Sequence, residues 1–159
     1  LDLLNDEQEG RTVQMKITSQ LNFPLSPRLT FRLGLFGGIT VGEELSNYYR
    51  YRIGGIFEQN LGNFVKLMGY EFGQLDTQNL LVATNSLQYN VHKNYFLTGH
   101  FSIANLFNDV KVDDILHINE TSAGLTAGYK SPFGQIKFNF SRSLTQNNNV
   151  FSVILGHWF

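Results

Sequence analysis

Apolar and polar residues alternate with a period of two along most of the chain. Val13, Met15, Ile17, Leu21 and Phe23 alternate with Gln14, Lys16, Thr18, Gln20 and Asn22. Leu29, Phe31, Leu33 and Leu35 alternate with Thr30, Arg32 and Gly34. The same rhythm returns with Leu81, Ala83, Leu87 and Tyr89 against Thr84, Ser86, Gln88 and Asn90. It continues with Tyr95, Leu97, Phe101 and Ile103 against Thr98, His100 and Ser102. Ala123, Leu125, Ala127 and Tyr129 face away from Gly124, Thr126, Gly128 and Lys130. Ile136, Phe138 and Phe140 face away from Gln135, Lys137, Asn139 and Ser141. Phe151, Val153, Leu155, His157 and Phe159 close the series against Ser152 and Gly156. A side-chain period of two is that of a strand with unlike faces, so the pattern predicts about seven strands of roughly ten residues or more.

Three properties of these strands separate a membrane barrel from a soluble sheet. Strands in soluble proteins average about five or six residues, whereas a tilted strand crossing a bilayer needs about 9 to 11. The polar face carries Lys16, Arg32, His100, Lys130 and Lys137. Such a face suits a hydrated lumen, with the apolar face turned to lipid. The connections alternate short and long. Pro24 to Pro27, Val91 to Asn94 and Ser131 to Gly134 are tight, while the spans 41–77 and 106–119 are long and 145–149 is modest. Outer-membrane barrels pair short periplasmic turns with longer extracellular loops. The fold class expected is therefore all-β, an antiparallel transmembrane β-barrel, with segment 1–10 near the outer surface. The competing reading, a soluble lipocalin-like binding barrel, would turn the apolar face inward.

Composition agrees with strands. Of 159 residues, 42% are apolar and 14% aromatic, with 14 Phe and 7 Tyr, and 15 Gly stand against 3 Pro. No apolar run approaches the ~18 to 20 residues of a membrane helix, and a bilayer is crossed only by helices and closed sheets. Net charge is −1, which gives no electrostatic reason to expect a nucleic-acid partner. With no cysteine, disulfide frameworks and thiolate metal sites are excluded.

Other chemistry finds little support. Gly37-Gly38 and Gly54-Gly55 are not followed by the Lys-Ser/Thr of a phosphate loop; they read as strand ends or bends. His92, His100, His117 and His157 are scattered, and no pair has metal-ligand spacing. Asp109, Asp113, Asp114 and Glu120 gather in one span, read as a solvated loop in preference to a weak calcium site. No metal, cofactor or catalytic residue is assigned. A lipase would need a Gly-x-Ser-x-Gly elbow and an Asp-Gly partner, and neither occurs here.

Two stretches go beyond general barrel character. Residues 121–140 read Thr-Ser-Ala-Gly-Leu-Thr-Ala-Gly-Tyr-Lys-Ser-Pro-Phe-Gly-Gln-Ile-Lys-Phe-Asn-Phe, and the chain ends Val-Phe-Ser-Val-Ile-Leu-Gly-His-Trp-Phe. This resembles the C-terminal end of the outer-membrane assembly-factor superfamily, also called the bacterial surface antigen family. Its members pass through a Ser-Pro-x-Gly turn and end on a Gly-x-x-Phe strand, matched here by Gly156 and Phe159. Tyr51-Arg-Ile-Gly54-Gly55, followed by Leu67-Met68-Gly69-Tyr70, looks like the family's loop whose Val-Arg-Gly-Phe/Tyr tip folds back into the lumen. Met68 stands where that tip carries arginine, and Lys66, two residues away, is not assigned its role. Asn63-Phe64, Gly69-Tyr70 and Leu87 to Val91 look most like barrels that follow patatin-like phospholipase domains in Bacteroidetes-type bacteria.

The resemblance implies a bacterial outer-membrane location and a single region, 1–159, forming the C-terminal part of a barrel. The loop 41–77 would enter the lumen. Seven strands starting outside and ending inside do not close as an even-numbered barrel, so partner strands are expected upstream in the same polypeptide. The implied job is to anchor or translocate an upstream domain, a patatin-like phospholipase, with general assembly or translocation as the alternative. Implied partners are outer-membrane lipid, the barrel-insertion machinery and the N-terminal strands or domain of the same polypeptide. Gly54, Gly55, Met68, Gly69 and Tyr70 form the loop-tip motif; Gly156 and Phe159 form the assembly signal.

Overall fold

In the computed structural model the described residues are 12–42, 49–56, 62–108 and 117–156. They form ten strands: β1 Val13–Ser26, β2 Leu29–Val41, β3 Tyr51–Ile53, β4 Phe64–Val65, β5 Leu75–Thr77, β6 Asn79–Asn90, β7 Tyr95–Phe107, β8 Glu120–Ser131, β9 Gly134–Ser143 and β10 Asn149–Gly156. Seven of them make one sheet in the order β1-β2-β6-β7-β8-β9-β10. Every neighbouring pair is antiparallel. The sheet is open, with β1 and β10 at its edges. The seven strands are those the alternation predicts, and the connections at Val91–Asn94 and Ser131–Gly134 fall where the sequence puts them; the first, expected over Pro24 to Pro27, turns instead at Pro27 and Arg28, with β1 running on past an irregularity at Pro24 to Ser26.

Register gives the two faces different chemistry. Leu33, Asn85, Phe101 and Ala123 lie side by side across four strands, and Arg32, Ser86, His100 and Gly124 make the adjacent row on the opposite face. The first face carries Ile17, Phe101, Leu125, Phe138, Phe140 and Leu155, with relative exposures from 45% for Phe101 to 72% for Leu155. In water this continuous exposed apolar surface would be an aggregation liability. Against acyl chains it is the matching solvent. A soluble binding barrel would reverse the faces; here Phe101, Phe138 and Phe140 point out while Lys16 and Lys137 share the inner face with Gln14, Thr126 and Asn139.

The span 41–77 is more than a connection. Within it β3 pairs parallel with β4 and antiparallel with β5, a second sheet of three short strands. This small sheet lies on the inner face, where Tyr51, Ile53, Val65, Leu67 and Tyr70 pack with Phe36, Leu80, Val82 and Ala104 in one buried cluster. A fully buried side chain of this size contributes about 1.5–3 kcal/mol, so the cluster fixes the segment against the wall. Segment 1–10, Asp109, Asp113, Asp114, His157 and Phe159 lie outside the described residues.

The face assignment predicts asymmetric tolerance to charge. Phe138→Arg is expected to cost about 2–4 kcal/mol of stability in lipid vesicles, measured by urea unfolding, while Thr18→Lys on the inner face is expected to change it little.

Candidate functional site

The site is the contact between the tip of segment 49–78 and the inner wall. Its geometry starts from the backbone. Gly54, Gly55 and Gly69 have φ of 123°, 88° and 81°, values that L side chains rarely adopt. The Gly54 N–H donates to the Val65 carbonyl at 3.0 Å and the Gly55 N–H to the Tyr70 carbonyl at 2.9 Å. These bonds fold the Leu67–Tyr70 turn back over the Gly-Gly pair, with Gly55 bridged to Leu67. A Cβ on Gly54 would lie 2.1 Å from the Glu71 carbonyl oxygen, and one on Gly69 would lie 2.4 Å from the Ser143 nitrogen. The tip therefore touches β9 backbone directly, and glycine is required at both places.

The structure brings Met68, Gly69 and Tyr70 together against β8 and β9. Met68 is buried, and its Sδ would be 3.2 Å from a Cβ on Gly124; the absence of a side chain at 124 opens the notch that takes the thioether. The Gly69 N–H donates to Ser141 Oγ at 3.0 Å. Tyr70 is fully buried; its hydroxyl donates to the Glu120 carboxylate and accepts from Ser143 Oγ at 2.7 Å. Burial, and then the hydrogen bond to Glu120, push the Tyr70 phenol up to about 12. Glu120, read in sequence as one of a solvated acidic group, is half-buried and holds the tip.

Behind Ser141 runs a directed chain of hydrogen bonds that sequence reading missed. Asn139 Nδ2 donates to Ser141 Oγ at 3.3 Å, and Thr126 Oγ1 donates to Asn139 Oδ1 at 2.8 Å. His100 Nε2 lies 3.0 Å from Thr126 Oγ1 and His100 Nδ1 lies 3.1 Å from Ser86 Oγ. Because Thr126 uses its proton on Asn139, it accepts from Nε2–H, and Nδ1 then accepts from Ser86. The imidazole tautomer is set by the network. Each residue occupies an inner position of successive strands, so the alternation already held the members, but not their pairing.

The other end of the segment is clamped by β1. Lys16 Nζ donates to Asn63 Oδ1 at 2.6 Å and lies 5.4 Å from the centre of the Tyr51 ring. Tyr51 fills the notch at Gly38, where a Cβ would be 2.5 Å from the ring. Asn63 Nδ2 and Gln14 Nε2 both donate to the Tyr49 carbonyl at 2.9 Å. Gly156, the other motif residue placed here, ends β10 opposite Gln135; it is remote in sequence from the tip and makes none of these contacts.

A family profile described as the OMP85 superfamily matches residues 5–159. The chain belongs to that superfamily, an outer-membrane family of assembly and translocation barrels. A search of curated proteins finds no match.

Two outcomes test this geometry. Gly69→Ala is expected to destabilise tip docking by about 1–3 kcal/mol through strain at positive φ, whereas Gly99→Ala, with open space around it, should be silent; protease protection of the segment reads the difference. Tyr70→Phe is expected to lose about 1–3 kcal/mol, leaving Glu120 short of a donor. Since the folded phenol titrates near 12, above the unfolded value near 10, its stabilisation is full below the lower value and is lost as pH rises through the upper. Absorbance titration should show one tyrosine ionising last, absent in Tyr70→Phe.

Proposed function

We propose that the chain is the C-terminal part of the wall of an outer-membrane barrel, residues 1–159, with the segment 41–77 folded into the lumen as an internal brace. The observation that carries this reading is the opposition of faces joined to the tip contact: apolar outside, polar inside, and a glycine-tyrosine turn hydrogen-bonded to the inner wall. The unpaired edges of β1 and β10 support closure by further strands. In lipid each unsatisfied backbone group there would cost several kcal/mol, and strands earlier in the same polypeptide are the simplest source.

Within this reading the barrel anchors or exports an upstream domain. The resemblance of Asn63-Phe64, Gly69-Tyr70 and Leu87 to Val91 to patatin-attached barrels supports a phospholipase of that type, and the buried Met68 supports a lineage that departs from the arginine tip. The superfamily match extends to assembly and translocation generally and does not single out this passenger. Gly156 and Phe159 would serve as the terminal strand read by the barrel-insertion machinery.

The complete reading frame tests the passenger: Gly-x-Ser-x-Gly and Asp-Gly upstream are expected, and repeated small periplasmic domains in their place would leave only the general assembly role. The barrel itself is tested by migration of the intact protein before and after heating in detergent. A heat-modifiable band in outer-membrane fractions is expected, with severalfold less of it on Phe159→Ala. Recovery of a folded, detergent-free monomer would overturn the membrane assignment.

A further inference from the structure

The connections β1–β2, β6–β7 and β8–β9 leave the same end of the sheet, and backbone hydrogen bonds join them into a rim. The Asn90 N–H donates to the Arg28 carbonyl at 2.8 Å, tying the first turn to the end of β6; the Lys130 N–H donates to the Asn94 carbonyl at 2.8 Å, tying the second turn to β8. Aromatic side chains of the outer face gather at this end. Phe23 stacks with Phe31 across β1 and β2, and Tyr95 lies against Tyr129 across β7 and β8 with ring centres 4.8 Å apart. Tyr89 and Tyr95 are exposed, and Phe133, in the β8–β9 turn, is 93% exposed. A phenyl ring so bare has no protein surface to pack on and calls for an apolar or interfacial surrounding.

Charge is divided between the two ends of the wall. The sequence places all 13 acidic residues at 2–9, 43–76 and 109–120, spans that precede β1 or join strands at the opposite end. The turn end carries Arg28, His92, Lys93 and Lys130, all exposed, and no acidic side chain. Among the described residues neither the Arg28 guanidinium nor the Lys93 ammonium enters a hydrogen bond or ion pair. An exposed cation in a turn is ordinarily just solvated. These two differ in their seat beside lipid-facing rings. A tyrosine at a membrane surface keeps its ring among the acyl chains and its hydroxyl among the headgroups. Lys93 stands two residues from Tyr95, a span of at most about 7 Å of chain, inside the screening length of about 8 Å at physiological salt.

We infer that the turn end is a docking surface for anionic phospholipid headgroups, with Tyr89, Tyr95, Tyr129 and Phe133 at the boundary between chains and headgroups and Arg28 and Lys93 paired with lipid phosphates. Charge complementarity selects this occupant. The phosphate of a zwitterionic lipid is offset by the lipid's own cation, whereas an anionic headgroup gains from each basic side chain near the surface. The carboxylate-bearing end repels the same lipid, so the two leaflets meet different chemistry. A protein domain seated on the rim is the competing occupant, but Tyr89, Tyr95 and Tyr129 belong to the lipid-facing side of the wall. The inference rests on the proposed barrel, because only an inserted wall brings these turns to headgroup depth.

The test uses the complete parent protein in detergent micelles, titrated with phosphatidylglycerol and, separately, with phosphatidylcholine of the same acyl chains, the bound lipids being counted by native mass spectrometry. Each cation near a lipid surface is worth about fivefold in affinity for an anionic lipid. The parent is expected to prefer phosphatidylglycerol about twentyfold. Arg28→Gln or Lys93→Gln should each cut that preference about fivefold, and the double variant should bind the two lipids alike. Arg142→Gln, at the opposite end of β9 with its guanidinium on Asn147, should keep the parent's preference. Heat-modifiable migration is recorded for every variant, so failure of the barrel is seen separately from failure of the surface. Equal binding of the two lipids by a heat-modifiable parent, or equal loss in Arg142→Gln, overturns the inference. So does a double variant that keeps the lipid preference but opens a neighbouring domain to protease, which assigns the rim to a protein contact.

Discussion

A bilayer offers no water to a peptide group. That single deprivation organises everything described above. Each N–H and C=O in the hydrocarbon must find a partner in the chain, so the backbone becomes a hydrogen-bonded sheet, and the sheet can carry only two kinds of side chain on its two sides. The long antiparallel ladders from β1 to β10 answer the first demand. The exposed Phe138 and Leu125, opposite the buried Asn139 and Thr126, answer the second.

Polar inner residues then need partners of their own, because a lumen crowded by a folded segment is only partly wet. The chain from Ser86 through His100, Thr126 and Asn139 to Ser141 meets that need across four strands and delivers an acceptor to the Gly69 N–H. Among the described residues, apolar side chains gather on the inner face where the segment covers it, at Phe36, Leu80, Val82 and Ala104, while Phe96 lies outside that patch and packs on Gly128. Wall and brace are thus one packing problem: polar rows where water or the network reaches, apolar patches where the brace lies.

The seven wall strands were legible because period two is a strong local signal and a register slip of one residue would turn every side chain over. The brace was legible only as a long span with a glycine-tyrosine tip. Its strands β3, β4 and β5 are two or three residues long, too short to show a period. A clue was present: the alternation fails at Leu35-Phe36 and again through Leu80, Leu81, Val82 and Ala83, because there the inner face is covered by the brace while the outer face stays apolar. Burial at Met68 and Tyr70 follows from contacts separated by some seventy positions, as with Gly69 and Ser141, and no local pattern encodes those. Glu120 was misread for the same reason, since only the folded chain sets it beside Tyr70.

Methionine at the tip carries a consequence of its own. An ion pair there would weaken as dissolved salt rises, because screening shortens the reach of charge. Met68 instead sits in a notch made by Gly124, held by contact, and its neighbour Gly69 by an uncharged hydrogen bond. At Met68 and Gly69 the fastening of this loop to its wall is accordingly built to behave alike in dilute and in briny surroundings.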